Sequence, residues 1–169
     1  MDERVWTDRP LAKGATIEHD GASLRMMEIP AAYLISGDLD AALNQFCSGV
    51  PCIGLLEDGP EQGPYAIRIG RHNVLLIADR QLDHPLGWDT RGFGVSDAKD
   101  VYVMFTLTGE RANDILAEGG VMVPHDPCPS AATQFAGIEA LITRQGRQVR
   151  IAIPRAMQTY VTSFLTHAL

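Results

Sequence analysis

Two stretches of this 169-residue chain echo one another: "ISGDLDAALNQFCSG" from Ile35 and "LTGERANDILAEGG" from Leu107. Each reads as a strand end, a tight Ser/Thr-Gly-acid turn and a short helix. In the first, Leu39, Ala42, Leu43 and Phe46 fall at i, i+3, i+4 and i+7, one apolar stripe; in the second, Ala112, Ile115 and Leu116 form a narrower one. Ser36 and Thr108 stand where a helix N-cap belongs, Gly49 and Pro51 close the first helix, and Gly119 closes the second. A strand precedes each phrase ("AYLIS", "VYVMFTL") and a hairpin follows it ("YAIRIGRHNVLLIA", "FAGIEALITRQGRQVRIAIP"). On the second of these strands Val101, Val103, Phe105 and Leu107 share a face. Gly37 and Gly109 lie 72 residues apart and Val74 and Val149 lie 75 apart, so one unit is used twice with a slightly longer second linker. Strand and helix do not alternate throughout, which argues against a doubly wound parallel sheet. The expectation is an α+β fold of two duplicated β-α-β-β halves with mostly antiparallel sheets.

The length suits one domain, 1–169, made of pseudo-repeats at about 23–79 and 101–169. Residues 80–100, rich in Gly, Pro and Asp, follow neither period and join the halves as a long loop, and such a connection is usually functional or interface-forming. Residues 1–22 read as an extended arm, with a first strand at Ser23 to Ile29. The last segment places Met157, Tyr160, Val161, Phe164, Leu165 and Ala168 on one helical stripe opened by Pro154.

Charge excludes one class of partner. A net charge of −7 and a pI near 5.1, with scattered basic residues, argue against nucleic acid, whose phosphates require clustered Lys and Arg. The longest pure apolar run, Val74 to Ala78, is far short of a membrane span. An acidic start without an apolar core, and three irregularly spaced cysteines, suit a cytoplasmic protein.

No set of residues assembles a catalytic constellation. "DHPLGWD" offers Asp83, His84 and Asp89, and "HDPC" offers His125, Asp126 and Cys128, but neighbours in one loop more often make local turn bonds than converge on a reacting atom. Cys47 and Cys52 lack the second pair a zinc site needs, and no phosphate-binding glycine motif or nucleophile elbow is present. No catalytic, cofactor or metal residue is therefore assigned. Trp88 and Phe93, in the Gly-rich 80–100 segment, either anchor a partner or fold back over the core, and Trp6 in the arm poses the same choice.

The stretch from "FTLTGERANDILAEGG" through "SAATQFAGIEALITRQGRQVRIAIPRAMQTYVTSFLTHAL" resembles the gamma subunit of heterotetrameric sarcosine oxidase. The matching features are Leu107 and Gly109 leading into an Ala/Leu helix, Ala132 to Gln134, Leu141 and Arg144 in a hairpin, and Pro154 with Arg155 opening the terminal helix. The match covers roughly residues 95–169, with the first half alike in outline. The resemblance implies a fold related to the folate-binding region of the glycine-cleavage aminomethyltransferase, with strands exchanged between halves. It also implies a non-catalytic, structural place in a flavoenzyme that oxidatively demethylates sarcosine or a related N-methyl amino acid. FAD, FMN, NAD and tetrahydrofolate then belong to larger partner subunits, and the isolated chain is expected to self-associate. The alternative is a stand-alone tetrahydrofolate-binding protein or one-carbon enzyme of the same fold, with Asp97 and Asp100 nearest in position for holding a pterin.

Overall fold

Two six-stranded sheets carry the chain, and each draws strands from both halves of the sequence. The computed structural model describes residues 10–46 and 49–169. The first sheet contains β1 (Thr16–His19), β2 (Ala22–Met26), β9 (Tyr102–Gly109), β10 (Ala132–Phe135), β11 (Ile138–Gln145) and β12 (Gln148–Pro154), in the order β1-β2-β9-β12-β11-β10. The second contains β3 (Ala31–Gly37), β4 (Cys52–Ile53), β5 (Tyr65–Gly70), β6 (Asn73–Ala78), β7 (Gly87–Asp89) and β8 (Phe93–Asp97), in the order β4-β5-β6-β3-β8-β7. Within both sheets every pairing is antiparallel except β4 with β5.

The halves exchange hairpins. β1–β2 precedes β3 in the chain yet pairs with β9, whereas β7–β8 precedes β9 and pairs with β3. The two exchanges share a register: Ala22 faces Gly109, and Phe93 faces Gly37. Both glycines have φ beyond +100°, and a Cβ would sit 2.1 Å from the Gly21 carbonyl oxygen at Gly109 and 2.4 Å from that of Gly92 at Gly37. That close approach, which only glycine permits, lets the next amide donate to the same carbonyl: Glu110 to Gly21 at 3.2 Å, Asp38 to Gly92 at 3.0 Å. The repeat read from Gly37 and Gly109 is thus a repeated crossover, and the α+β architecture with exchanged strands stands.

Strand alternation sorts the side chains into three apolar layers. Val103, Phe105 and Leu107 of β9 face α2 (Ala112–Glu118) and α3 (Gln158–Ala168), while Tyr33 and Ile35 of β3 face α1 (Leu39–Phe46). Between the sheets, Met104, Leu141 and Ala152 meet Ala32, Ile67, Leu75 and Ile77.

Several local expectations change. The segment 80–100 contains β7 and β8, and Thr16–His19 within the expected arm pairs as β1. Asp38, not Ser36, caps α1, accepting the Ala41 amide at 3.0 Å, because β3 runs on through Gly37. α2 has Arg111 at its N-cap and no side-chain cap, so Thr108 does not serve there. Gly119 is the C-cap of α2, as expected, and the left-handed residue that follows it is Gly120 (φ 84°), with Val121 donating to Leu116 and Gly120 to Ala117. Val101 lies outside β9 and is exposed, as are Met157 and Tyr160 beside the buried Val161, Leu165 and Ala168.

Candidate functional site

The inner face of the first sheet is apolar only along its middle. Two residues further along each strand, on the same face, a polar row crosses it: Thr16 faces Arg25, Arg25 faces Thr106, Thr106 faces Arg150, and Arg150 faces Thr143. At the β1–β2 end the second sheet does not cover this face, leaving a groove of about 690 Å³ lined by Thr16, Glu18, Ser23, Arg25, Thr106, Thr108 and Gln148, among others. Its floor of hydroxyls, with the Arg25 guanidinium and the carboxylates of Glu18 and Glu28, can hydrogen-bond a polar or zwitterionic group, and it holds no nucleophile–base pair.

At the covered end the row is buried. Arg150, 4% exposed, lies over the Tyr65 ring at 4.9 Å and donates through Nη2 to the Pro60 carbonyl at 3.4 Å. Its Nε and Nη1, and the Oγ1 of fully buried Thr143, have no hydrogen-bond partner. Burial pushes the Tyr65 phenol above its ordinary pKa, a rise partly offset by the Arg150 charge and by hydrogen bonding from the Arg150 side chain. Composition did not single out this row. Its one sequence signal is an arginine at an inward position of the otherwise apolar "VRIAIP".

The residues weighed from sequence separate. Trp88 is 74% exposed on the edge strand β7, next to exposed Leu86, its ring lying against Gly94. Phe93, five residues on, is fully buried between Phe46 and His84 and so belongs to the core rather than to a partner surface. Trp6 and Cys47 lie outside the described residues. His84 and Asp89 do meet, at 3.2 Å, but Arg91 also binds Asp89 through Nε and Nη2, each at 2.8 Å, and donates to Gln45. Arg91 holds the Asp89 carboxyl far below the ordinary carboxylate range, so it is a fixed anion and a poor proton carrier.

Elsewhere the polar residues serve local structure. Cys128 donates to the Ser130 carbonyl. Burial raises the Cys52 thiol, against the pull of Arg68, which weakens it as a nucleophile. Asp97 accepts the Lys99 amide at 2.9 Å, and exposed Asp100 pairs with Arg155 at 3.0 Å; neither lines the groove, so the positions named for a pterin carboxylate contact do not form one there. His19 and Arg111 both bond the Leu169 carbonyl, at 3.0 and 2.7 Å, fastening α3 to the β1–β2 turn. Among the described residues no three His, Cys, Asp or Glu side chains converge as metal ligands, and no helix is long and apolar enough to cross a membrane.

No family model and no curated protein matches the chain. Its fold is similar to a chain of the heterotetrameric sarcosine oxidase from Corynebacterium sp. U-96, solved in complex with pyrrole 2-carboxylate. The similarity has a TM-score of 0.62 at 17% identity and covers 88% of this chain and 86% of that one. The two chains share a fold. At that identity the likeness carries architecture and not residue roles.

Proposed function

We propose that this chain is a non-catalytic, gamma-type subunit of a heteromeric flavin-dependent oxidase of sarcosine or a related N-methyl amino acid. Its role is structural: it packs against larger flavoprotein chains, which carry FAD, FMN, NAD and tetrahydrofolate. The supporting observation is the extent of the fold likeness, which covers most of both chains and so relates this one to a comparably sized chain of a heterotetrameric enzyme. The side chains agree with a structural role, since His84, Asp89, Cys52 and Cys128 are engaged in local contacts or buried. Trp88 and Leu86 supply an exposed apolar edge for a partner. An obligate contact of this kind buries upwards of about 2,000 Å² in total.

Affinity capture of the tagged chain from its native host, with an absorbance spectrum of the eluate, tests the reading. A yellow eluate with larger chains and a flavin band is the expected result. A colourless eluate holding only this chain overturns it and favours the alternative, tetrahydrofolate binding in the hydroxyl-lined groove. Titrating tetrahydrofolate into the isolated chain checks that alternative: no heat at millimolar ligand eliminates it.

A further inference from the structure

We infer that Arg150 holds a small monovalent anion, of halide or formate size, enclosed between the second half's hairpin and the loop at residues 57–61. A buried guanidinium is ordinarily paired with a carboxylate. Here no ion pair involves Arg150 among the described residues: its guanidinium meets the neutral Tyr65 side chain and donates to one carbonyl at the long distance of 3.4 Å. Two of its three nitrogens point at no acceptor, and neither does the hydroxyl of Thr143, its cross-strand neighbour on the same face. Three buried donor-bearing atoms on one cross-strand pair, without a hydrogen-bond partner, leave a charge to neutralise.

The roof over this site is built, not accidental. Gly59 donates to the Arg144 carbonyl at 2.7 Å, Gly146 donates to Asp58 at 2.9 Å, and Gln145 donates to the Pro60 carbonyl at 3.1 Å. These bonds spend the Asp58 carboxylate on the hairpin turn and bring only backbone toward the guanidinium, whose Nη1 would lie 3.5 Å from a Cβ at Gly59. The fold does not require an arginine there. In the second sheet the corresponding row runs Ser96, Leu34, Leu75, Ile67, with Leu75 in the place of Arg150. Enclosure sets the ligand's size, since a guanidinium 4% exposed beneath a tied loop leaves no path for a phosphate ester.

Thermal unfolding of the full chain tests the site. Chloride, bromide and formate are titrated separately at constant ionic strength, with a bulky sulfonate as the balancing anion. The wild type is expected to gain Tm saturably with each small anion, as a ligand that binds only the folded state must produce. Arg150→Leu is expected to fold, since leucine fills the matching position of the other half, and to show no saturable gain; Thr143→Val is expected to shift the midpoint to higher anion concentration. A bromide-soaked crystal of the wild type should show an anomalous peak within hydrogen-bond distance of Nε or Nη1, which decides the matter even if the variants fold poorly. An equal ion response in Arg150→Leu, or an ordered water with no bromide beside the guanidinium, overturns the inference.

Discussion

The two sheets share one topology of exchange and differ on their inner faces. Across the second, Leu34, Leu75 and Ile67 form an apolar row that joins the layer between the sheets. Across the first, the matching row is Thr106, Arg150 and Thr143. Both sheets close the same crossover with a glycine and bury the same helix-facing alternation. Architecture therefore depends on the crossover and on the helix-facing rows, while the inner row can vary in chemistry. Where it has varied, the chain carries a buried charge that folding alone does not explain.

The largest predicted effect comes from exchanging the two rows. Leu75→Arg places a charge in the fully buried apolar layer between the sheets, and is expected to remove most of the folding free energy, at least about 4 kcal/mol. Arg150→Leu takes away a buried charge and is expected to change stability by no more than about 2 kcal/mol in anion-free buffer, in either direction. Urea unfolding of both variants measures the contrast. Equal losses would mean that Arg150 is as necessary to the first sheet as Leu75 is to the second.

Next in size is the test of what the halves have in common. Gly109→Ala and Gly37→Ala each put a Cβ against a backbone carbonyl that cannot rotate away, at a φ an L-residue rarely adopts. Each is expected to cost about 3 kcal/mol or more. A large loss at one glycine and less than about 1 kcal/mol at the other would show that the two crossovers are not equivalent in energy, whatever their geometry.

That equivalence was legible in the sequence because it is local: a Ser/Thr-Gly-acid turn between a strand and a helix, written twice. The exchange of hairpins could not be read from periodicity, since it depends on which distant strand β8 meets. β8 offers only Phe93 and Val95 as buried residues among five, β7 is three residues long, and their partner β3 lies some sixty residues upstream. Only the family resemblance pointed to it. The caps were misread because Ser36 and Asp38 are both good capping residues, and the strand's true end, not the residue type, decides between them. The polar row was missed for a related reason. Arg25, Thr106, Arg150 and Thr143 are unremarkable one by one and become a row only in register.

Phe93 and Trp88 show the same principle on a single hairpin. Phe93 faces Asp89 and Trp88 faces Gly94, one register step apart, so the two aromatics leave opposite faces of the ribbon. Phe93→Ala is expected to cost about 3 kcal/mol through the cavity it leaves. Trp88→Ala is expected to move the stability of the isolated chain by under about 0.5 kcal/mol while weakening capture of the larger partner chains. A Trp88→Ala chain that captures partners as well as wild type would send the search for the interface to Met122 and Val123, the other strongly exposed apolar pair.

The smallest effect compares the exchanged hairpins through their aspartates. Asp20 meets Arg111 through one exposed contact of 3.3 Å, whereas Asp89 receives two guanidinium bonds and the Arg91 amide, each at 2.8 Å. The Asp89 carboxyl is thus depressed in the folded chain, first by the Arg91 side-chain bonds and then by its amide. A depressed folded pKa stabilises wherever the unfolded carboxyl would also be ionised, above about pH 4, and that contribution shrinks as pH falls below it. Asp89→Asn should therefore lower Tm at pH 7, and the gap from wild type should narrow as the buffer is taken from pH 5 to pH 3. A gap of constant width would mean that the asparagine's loss is one of geometry alone, and that Arg91 orders the β7–β8 turn without drawing stability from the carboxylate's charge.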